Sequence, residues 1–223
     1  MLVSLLSSVL AWLRSLVLFE PTLDLADNAL ILVATIKGCV ITPWMFGFER
    51  TSLGVRCERA FLAFAFAVAD AFSPLSWSYP RRSVIERADA CSSREPGRTI
   101  PVQVYTSDGA DDAAPPPLLI FFHGGGLFMG THDGEAVIAR FFAHRLRATV
   151  VSVGYRKTPE HAWPASLNDG EDVARALLAQ AEPKDQSGDP RLNVPPFDRR
   201  KVLLVGMSAG GYHAIQVTRT LAP

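Results

Sequence analysis

Residues 202–211 read VLLVGMSAGG, an apolar run followed by a turn of the form Gly-x-Ser-x-Gly. A nucleophilic serine has to project from a sharp, strained strand-to-helix turn, and side chains two residues before and after it would collide across that turn. Glycine occupies both of these places, Gly206 and Gly210, on either side of Ser208. The stretch therefore predicts a nucleophilic serine at the amino end of a helix, whose free N–H groups favour a developing oxyanion. The alternative is a glycine-rich turn in which Ser208 only caps the helix.

A second glycine-dense turn, His123-Gly124-Gly125-Gly126, follows directly after the apolar run 118–122. Three consecutive glycines let backbone amides face a ligand with no side chain between, as an oxyanion hole requires. The competing interpretation is a nucleotide-binding loop. The dinucleotide fingerprint would need Gly or Ala where Met129 stands, and the Gly-Lys-Ser/Thr of a P-loop does not follow. The turn is therefore interpreted as an oxyanion loop.

The segments around the two turns predict an α/β fold. Short, unbroken apolar runs alternate with helical patterns, which indicates a mostly parallel sheet covered on both faces. An alternating run at 100–105 reads as one more strand, and a polar loop is expected over about 181–200. The apolar strands are predicted at 118–122, 149–153 and 202–205, with helical patterns near 137–146, 173–178 and 214–221.

Between the two turns lies YRKTPEHAWPA, residues 155–165. Together the three segments resemble the α/β-hydrolase fold, and within it the hormone-sensitive lipase family, over about residues 118–221. The resemblance implies Ser208 as nucleophile and an N-terminal helical cap over the acyl pocket. It also implies motif-supporting roles for Gly124, Gly206 and Gly210, and a loop-shaping role for His123. The oxyanion hole that it implies consists of the amides of Gly125, Gly126 and Ala209.

Three positions depart from the family's usual residues. Met207 stands where an Asp usually precedes the serine, and Gly154 stands where an Asp usually precedes the tyrosine of the second motif. Lys157-Thr158 replaces a Leu-Ala pair. None of these changes removes the nucleophile, but they alter the polar support around the turn that carries it.

Composition excludes several other classes. Lys plus Arg and Asp plus Glu are 22 each, so the formal net charge is zero, and a non-specific nucleic-acid partner is not expected. Cys39, Cys57 and Cys91 are an odd number without CxxC spacing, which argues against a disulfide scaffold and against a structural zinc site. No cluster of His, Asp and Cys has ligand spacing, so no metal and no organic cofactor is implied.

The sequence predicts two parts, residues 1–80 with hydrophobic or cap helices and residues 81–223 with a partial catalytic domain. Residues 2–19 are amphipathic, with an apolar face opposite a serine-rich face and Arg14 as their only charge. This pattern suits a helix lying on a membrane surface and equally a helix packed over an apolar site. The apolar front end favours an ester substrate with an apolar acyl group.

The triad of this fold runs in the order serine, acid, histidine. Residues 209–223 contain no Asp or Glu, and His213 is their only histidine. Because His213 belongs to the helix that begins at the serine turn, it is expected to be a plain helix residue and not the base. We therefore expect the front portion of a longer carboxylic ester hydrolase, an esterase or lipase that is inactive without its acid and base. The alternative is a non-catalytic binding protein for a small apolar ligand, or a dead fragment.

Overall fold

A computed structural model describes residues 83–108, 115–180 and 192–222, together with residues 55, 56, 59, 60 and 64. The chain divides into two compact units, Met1–Trp77 and Ser78–Pro223. The described residues of the first unit are helical. Within the described residues, no helix is both long enough and apolar enough to cross a membrane. The predicted amphipathic helix at 2–19 lies outside the described residues, and so does the predicted cap apart from residues 55, 56, 59, 60 and 64.

The described residues of the second unit form five strands and three helices in a largely alternating order. The strands form one sheet with the order β1-β2-β4-β3-β5. The elements are β1 (Val84–Ser92), β2 (Thr99–Ser107), β3 (Pro117–Phe122), α1 (Ala136–Leu146), β4 (Thr149–Val153), α2 (Ala165–Gln180), β5 (Asp198–Gly206) and α3 (Ala209–Leu221). The predicted α/β fold is therefore present; the predicted strands and helices lie near their expected places, and β1 is an additional strand.

The sheet is mixed, whereas the sequence predicts a mostly parallel one. β3 pairs in parallel with both β4 and β5, but β2 runs antiparallel to both β1 and β4. The reason is the short turn between β1 and β2, closed by the Ser93 N–H donating to the Arg98 carbonyl over 3.0 Å, which makes a hairpin. The predicted loop over 181–200 ends earlier than expected, because β5 begins at Asp198.

Helices cover both faces of the sheet, as the unbroken apolar strands predict. Alternate residues of β3 point to opposite faces. Leu118, Ile120 and Phe122 belong to the cluster that includes α2 and α3 residues. Leu119 and Phe121 belong to the cluster that includes the alanines of α1. All five side chains are at most 1% exposed, and burial of each contributes about 1.5–3 kcal/mol. The core is therefore centred on the strand that leads into the glycine turn.

A buried ion-pair cluster fastens the hairpin turn and the segment after β4 to α2. Asp169 is 0% exposed and pairs with the guanidinium groups of Arg98 and Arg156. The Arg156 backbone N–H also donates to Asp169 Oδ2 over 2.9 Å. Arg94 pairs with Asp172 over 2.7 Å one turn further along α2. Because a buried carboxylate needs such partners, this cluster fixes where the backbone leaves β4 at Tyr155.

Candidate active site

Ser208 stands between β5 and α3 on a strained turn. Its φ of 50° and ψ of −116° lie where a non-glycine residue is rarely found, and its side chain is exposed. A Cβ placed on Gly206 would lie 2.2 Å from the Gly210 carbonyl oxygen. The structure therefore contains the crowding across the turn that the Gly-x-Ser-x-Gly spacing predicts. The turn holds the Ser208 side chain at the carboxyl edge of the sheet, in front of the first turn of α3.

The turn 123–126 follows β3, and its backbone requires glycine. Gly125 has a φ of +123°, and a Cβ there would lie 2.4 Å from the Met129 carbonyl oxygen. The Met129 N–H donates to the Gly125 carbonyl over 2.8 Å, which closes the loop. Within the described part of the chain, no backbone hydrogen bond occupies the amides of Gly125, Gly126 or Ala209. These amides are therefore available to an oxygen atom bound between the turns.

The two turns lie against each other because β3 and β5 are neighbours in the sheet. Phe122 is opposite Gly206 in the parallel register, so both strands end at the same level. The Met207 N–H donates to the Phe122 carbonyl over 3.2 Å. A Cβ on Gly210 would lie only 2.0 Å from that same carbonyl oxygen. The amino end of α3 is thus seated on the last residue of β3, beside the glycine turn.

His123 is buried beneath its own turn, at 1% exposure. Its Nδ1 lies 2.7 Å from the Gly124 carbonyl oxygen, and since a carbonyl only accepts, Nδ1 carries the proton. The Tyr155 hydroxyl donates to the His123 carbonyl over 2.6 Å. Burial lowers the pKa of His123 to about 3, so the imidazole is neutral at ordinary pH. These contacts support the loop-shaping role that the family resemblance implies.

Glu135 was not singled out by the sequence, yet it contacts the same turn. Its Oε1 accepts the Gly124 N–H over 3.0 Å. Its Oε2 is buried and has no hydrogen-bond partner among the described residues. Burial raises the pKa of the Glu135 carboxyl, and the Gly124 hydrogen bond opposes that rise. The only signal in the sequence is an acid just before an amphipathic helix, a pattern that usually means a solvated helix start.

The glycine at position 154 has a spatial explanation. A Cβ there would lie 2.9 Å from Nδ1 of His132 and 2.7 Å from the Pro101 carbonyl oxygen. The His132 imidazole therefore occupies the space into which an aspartate side chain would extend. Burial lowers the pKa of His132, and the nearby charge of Lys157 lowers it further, although Asp133 acts in the opposite direction. Gly154 and Lys157, which both depart from the family pattern, thus both lie near His132.

His213 is fully buried in the first turns of α3, whereas Ser208 is exposed. Its Nδ1 lies 3.1 Å from the Ala209 carbonyl oxygen, which requires the proton on Nδ1. A base for the serine would need a free nitrogen within reach of the hydroxyl. That His213 is not the base stays a prediction. His161 is exposed in the loop after β4.

The described residues contain no group of three or more His, Cys, Asp or Glu side chains that could hold a metal ion. Cys91 is buried in the core cluster, and Cys39 and Cys57 lie outside the described residues. The described part of the site offers the Ser208 hydroxyl, backbone amides and the neutral imidazole of His123. That set suits addition of a serine to a carbonyl group.

Comparison with known proteins agrees with this geometry. Residues 119–222 match the α/β hydrolase fold family. An ethyl acetate hydrolase of Pseudomonas putida is 29% identical over 135 residues, which cover 60% of this chain and 39% of that protein. A versiconal hemiacetal acetate esterase of Emericella nidulans is 33% identical over 122 residues, covering 55% of this chain and 36% of the relative. The chain thus spans about two fifths of the length of these curated relatives.

Solved structures also resemble the chain. An esterase of Pyrobaculum calidifontis superposes with a TM-score of 0.59 at 25% identity, covering 74% of this chain and 47% of that one. The esterase LipW of Mycobacterium marinum superposes with a TM-score of 0.57 at 28% identity, covering 76% and 47%. The predicted resemblance to the α/β-hydrolase fold is confirmed, and the relatives named here are esterases.

Proposed function

Residues 119–222 of this chain match the α/β-hydrolase fold family, and from that match we propose that the chain carries the nucleophilic half of a serine esterase acting on carboxylic esters. The observation that carries the proposal is the pairing of a strained, exposed Ser208 with the unoccupied amides of Gly125, Gly126 and Ala209. A nucleophile and donors aimed at one place are the two requirements for acyl transfer at a carbonyl carbon.

In this mechanism the Ser208 hydroxyl adds to the ester carbonyl carbon, and its proton leaves to a base. The carbonyl oxygen becomes an oxyanion, which the amides of Gly125, Gly126 and Ala209 stabilise. One such donor contributes about 3 kcal/mol, or two to three powers of ten in rate. Departure of the alcohol leaves an acyl-serine, which water then hydrolyses to the acid and free Ser208. His123 and Tyr155 hold the loop and exchange no proton with the ester.

The base is the component that this chain does not supply in our proposal. His213 is fully buried in α3 whereas Ser208 is exposed, and residues 209–223 contain no acid. Loss of a triad member costs about four to six powers of ten in serine hydrolases. We therefore expect the chain of residues 1–223 to hydrolyse esters at a rate near background. A form that also carries an acid and then a histidine in triad order should be active.

Two observations support a proposal for the substrate class. The names of the two relatives, an ethyl acetate hydrolase and a hemiacetal acetate esterase, both specify acetate esters. The apolar front end of this chain favours an apolar acyl group over a charged one. Acetate and longer apolar acyl esters are therefore the first substrates to compare.

The decisive experiment measures reaction at Ser208 itself. In the longer form, a fluorophosphonate probe should label Ser208, and Ser208→Ala should abolish both labelling and turnover of a nitrophenyl acetate. Ser92→Ala is the matched control, because Ser92 is exposed on β1 at the opposite edge of the sheet and should leave both unchanged. A folded longer form without labelling would overturn the esterase proposal in favour of a binding protein for a small apolar ligand. Strong Ser208-dependent turnover by residues 1–223 alone would show that the base lies within them.

A further inference from the structure

His213 sits in a cage of aromatic side chains directly behind the serine turn. It is 0% exposed, five residues after Ser208. Its ring stacks on the Tyr155 ring with the centroids 4.4 Å apart and the planes 19° apart. Phe122 lies 5.9 Å away in a stacked arrangement, and Trp163 meets the imidazole edge-on at 6.4 Å. A buried histidine in such contact is held in one orientation.

The Tyr155 ring continues the stack toward the oxyanion turn. On its other side it meets His123, with the centroids 4.2 Å apart and the planes 11° apart. The Tyr155 hydroxyl donates to the His123 carbonyl over 2.6 Å. The rings of His123, Tyr155 and His213 thus form a three-ring column. One ring comes from the oxyanion turn, one from the segment after β4, and one from α3.

His213 also contacts Ala209, which supplies the donor on the other side of the proposed oxyanion hole. Its Nδ1–H donates to the Ala209 carbonyl over 3.1 Å. This bond fixes the Ala209–Gly210 peptide and, through the shared Cα, restricts rotation at the Ala209 amide. The donors of the proposed oxyanion hole come from two separate loops, so their spacing depends on whatever connects these loops. His213 takes part in two such connections: its ring stacks on Tyr155, and its Nδ1–H donates to the Ala209 carbonyl.

We propose that His213 is a positioning residue that ties the two halves of the oxyanion hole together, through the three-ring column to the 123–126 turn and through Nδ1 to Ala209. The catalytic part of this inference rests on the proposed function, whereas the structural part rests on the ring contacts. Burial lowers the pKa of His213, while the Ala209 and Ser166 backbone groups oppose that effect, so the ring is neutral near pH 7. In the neutral ring the proton resides on Nδ1, and Nε2 has no hydrogen-bond partner within the described residues.

Two substitutions of His213 each break one of its two contacts, either the hydrogen bond to Ala209 or the stacking on Tyr155, and a third breaks both. His213→Phe keeps a flat ring for Tyr155 but has no donor for the Ala209 carbonyl. His213→Asn keeps an N–H at about the position of Nδ1 but has no ring to stack. His213→Leu removes both. Val217→Ala is the matched control, because Val217 is 0% exposed in the same helix and stacks on no ring of the column. It should cost stability without affecting the oxyanion loop.

The first readout requires no turnover and uses residues 1–223. Backbone ¹⁵N relaxation should give rigid order parameters, about 0.85, for Gly125, Gly126 and Ala209 in the wild type. His213→Leu should reduce all three toward 0.6. His213→Phe should restore the two glycines, His213→Asn should restore Ala209, and Val217→Ala should change none. If His213→Leu matches Val217→Ala at all three amides, the proposal is wrong. Should His213→Leu fail to fold, the Phe and Asn variants decide by the same criterion.

The second readout uses a form that carries the triad acid and histidine and turns over an ester. His213→Leu should lower kcat by about ten- to a hundredfold with KM within twofold, because oxyanion donors act in the transition state. In a Tyr155→Leu background His213→Leu should cost clearly less than it does in the wild type, since the column is already broken and only the bond to Ala209 remains to be lost. Full additivity of the two substitutions would overturn the coupling through Tyr155. Absence of Ser208-dependent turnover would overturn the proposed esterase function alone, and the relaxation measurement would still decide the positioning role.

Discussion

Gly210→Ala tests the contact between the amino end of α3 and the end of β3. An added Cβ would lie 2.0 Å from the Phe122 carbonyl oxygen and 2.6 Å from the His123 carbonyl oxygen. Both are backbone atoms, and neither can rotate away as a side chain would. Ordinary van der Waals contact begins near 3.4 Å, so α3 has to retreat from β3 by more than about 1 Å. That retreat also stretches the Met207 N–H bond to the Phe122 carbonyl.

The expected magnitude follows from three opposing contributions. Forcing an extra methyl into a packed contact costs about 1–3 kcal/mol, and sometimes more. Weakening the Met207 hydrogen bond costs about 1 kcal/mol. Replacing a helical glycine by alanine returns about 1 kcal/mol. We therefore expect Gly210→Ala to lower the free energy of unfolding by about 1–3 kcal/mol.

Gly211→Ala is the matched control one residue later in the same helix. A Cβ there would have its nearest contact at 3.3 Å, to the Gly206 carbonyl oxygen. The helix preference then dominates, so this variant should be neutral or more stable by up to about 1 kcal/mol. Urea unfolding followed by circular dichroism measures both midpoints. If the two variants have equal midpoints, α3 is not seated on Phe122 in the way described, and the apposition of the two turns loses its support.

Three further expectations concern other parts of the molecule. The pKa of His123 falls from 6.5 to about 3 on folding, so below pH 6.5 the unfolded chain binds more protons. The free energy of unfolding should then drop by about 2 kcal/mol from pH 7 to pH 5. His123→Asn should lose this drop, and a variant with the same pH profile as the wild type would contradict the prediction. Glu135→Gln keeps the acceptor for the Gly124 N–H and should nearly match the wild type, whereas Glu135→Leu should lose about 1–3 kcal/mol; equal urea midpoints would show that the acceptor is unimportant. If residues 2–19 bind a membrane surface, vesicle flotation should fall on their deletion and change little with salt, and equal flotation of both forms would remove the membrane role.

The sequence predicted the central strands well because their burial is nearly complete. The strand at 149–153 has the predicted bounds, and the strand at 118–122 is extended by one residue. Unbroken apolar runs of this length leave few alternatives when glycine turns follow them. β1 was not predicted, because its middle residues 85–88 are all exposed and its apolar residues follow no period. An edge strand of a hairpin owes its structure to the neighbouring strand more than to its own pattern.

The sequence predicted those parts of the candidate site that the spacing of residues in the two glycine turns determines. Glycine at 206 and 210 follows from the crowding around Ser208, and the glycine turn at 123–126 follows from the need for bare amides. The contribution of Glu135 could not be predicted, because the sequence does not tell whether a carboxylate at a helix start faces water or a backbone amide. The same holds for His213, where the helical pattern gives a buried position but not the stacking on Tyr155. Such contacts depend on which loops the sheet brings together.

The register of β5 against β3 has a consequence for the order in which the protein is made. β3 pairs with β4 through Leu118 and Thr149, but it pairs with β5 through Leu118 and Val202, far later along the chain. Closing the longer loop costs more entropy and requires residues that leave the ribosome later than β4 does. The strands β1 to β4 can therefore assemble during synthesis while the oxyanion turn lacks its partner. We expect Ser208 to come beside the 123–126 turn only after β5 has paired with β3, so that a nascent chain stalled before Val202 would carry most of the core without the turn that holds Ser208.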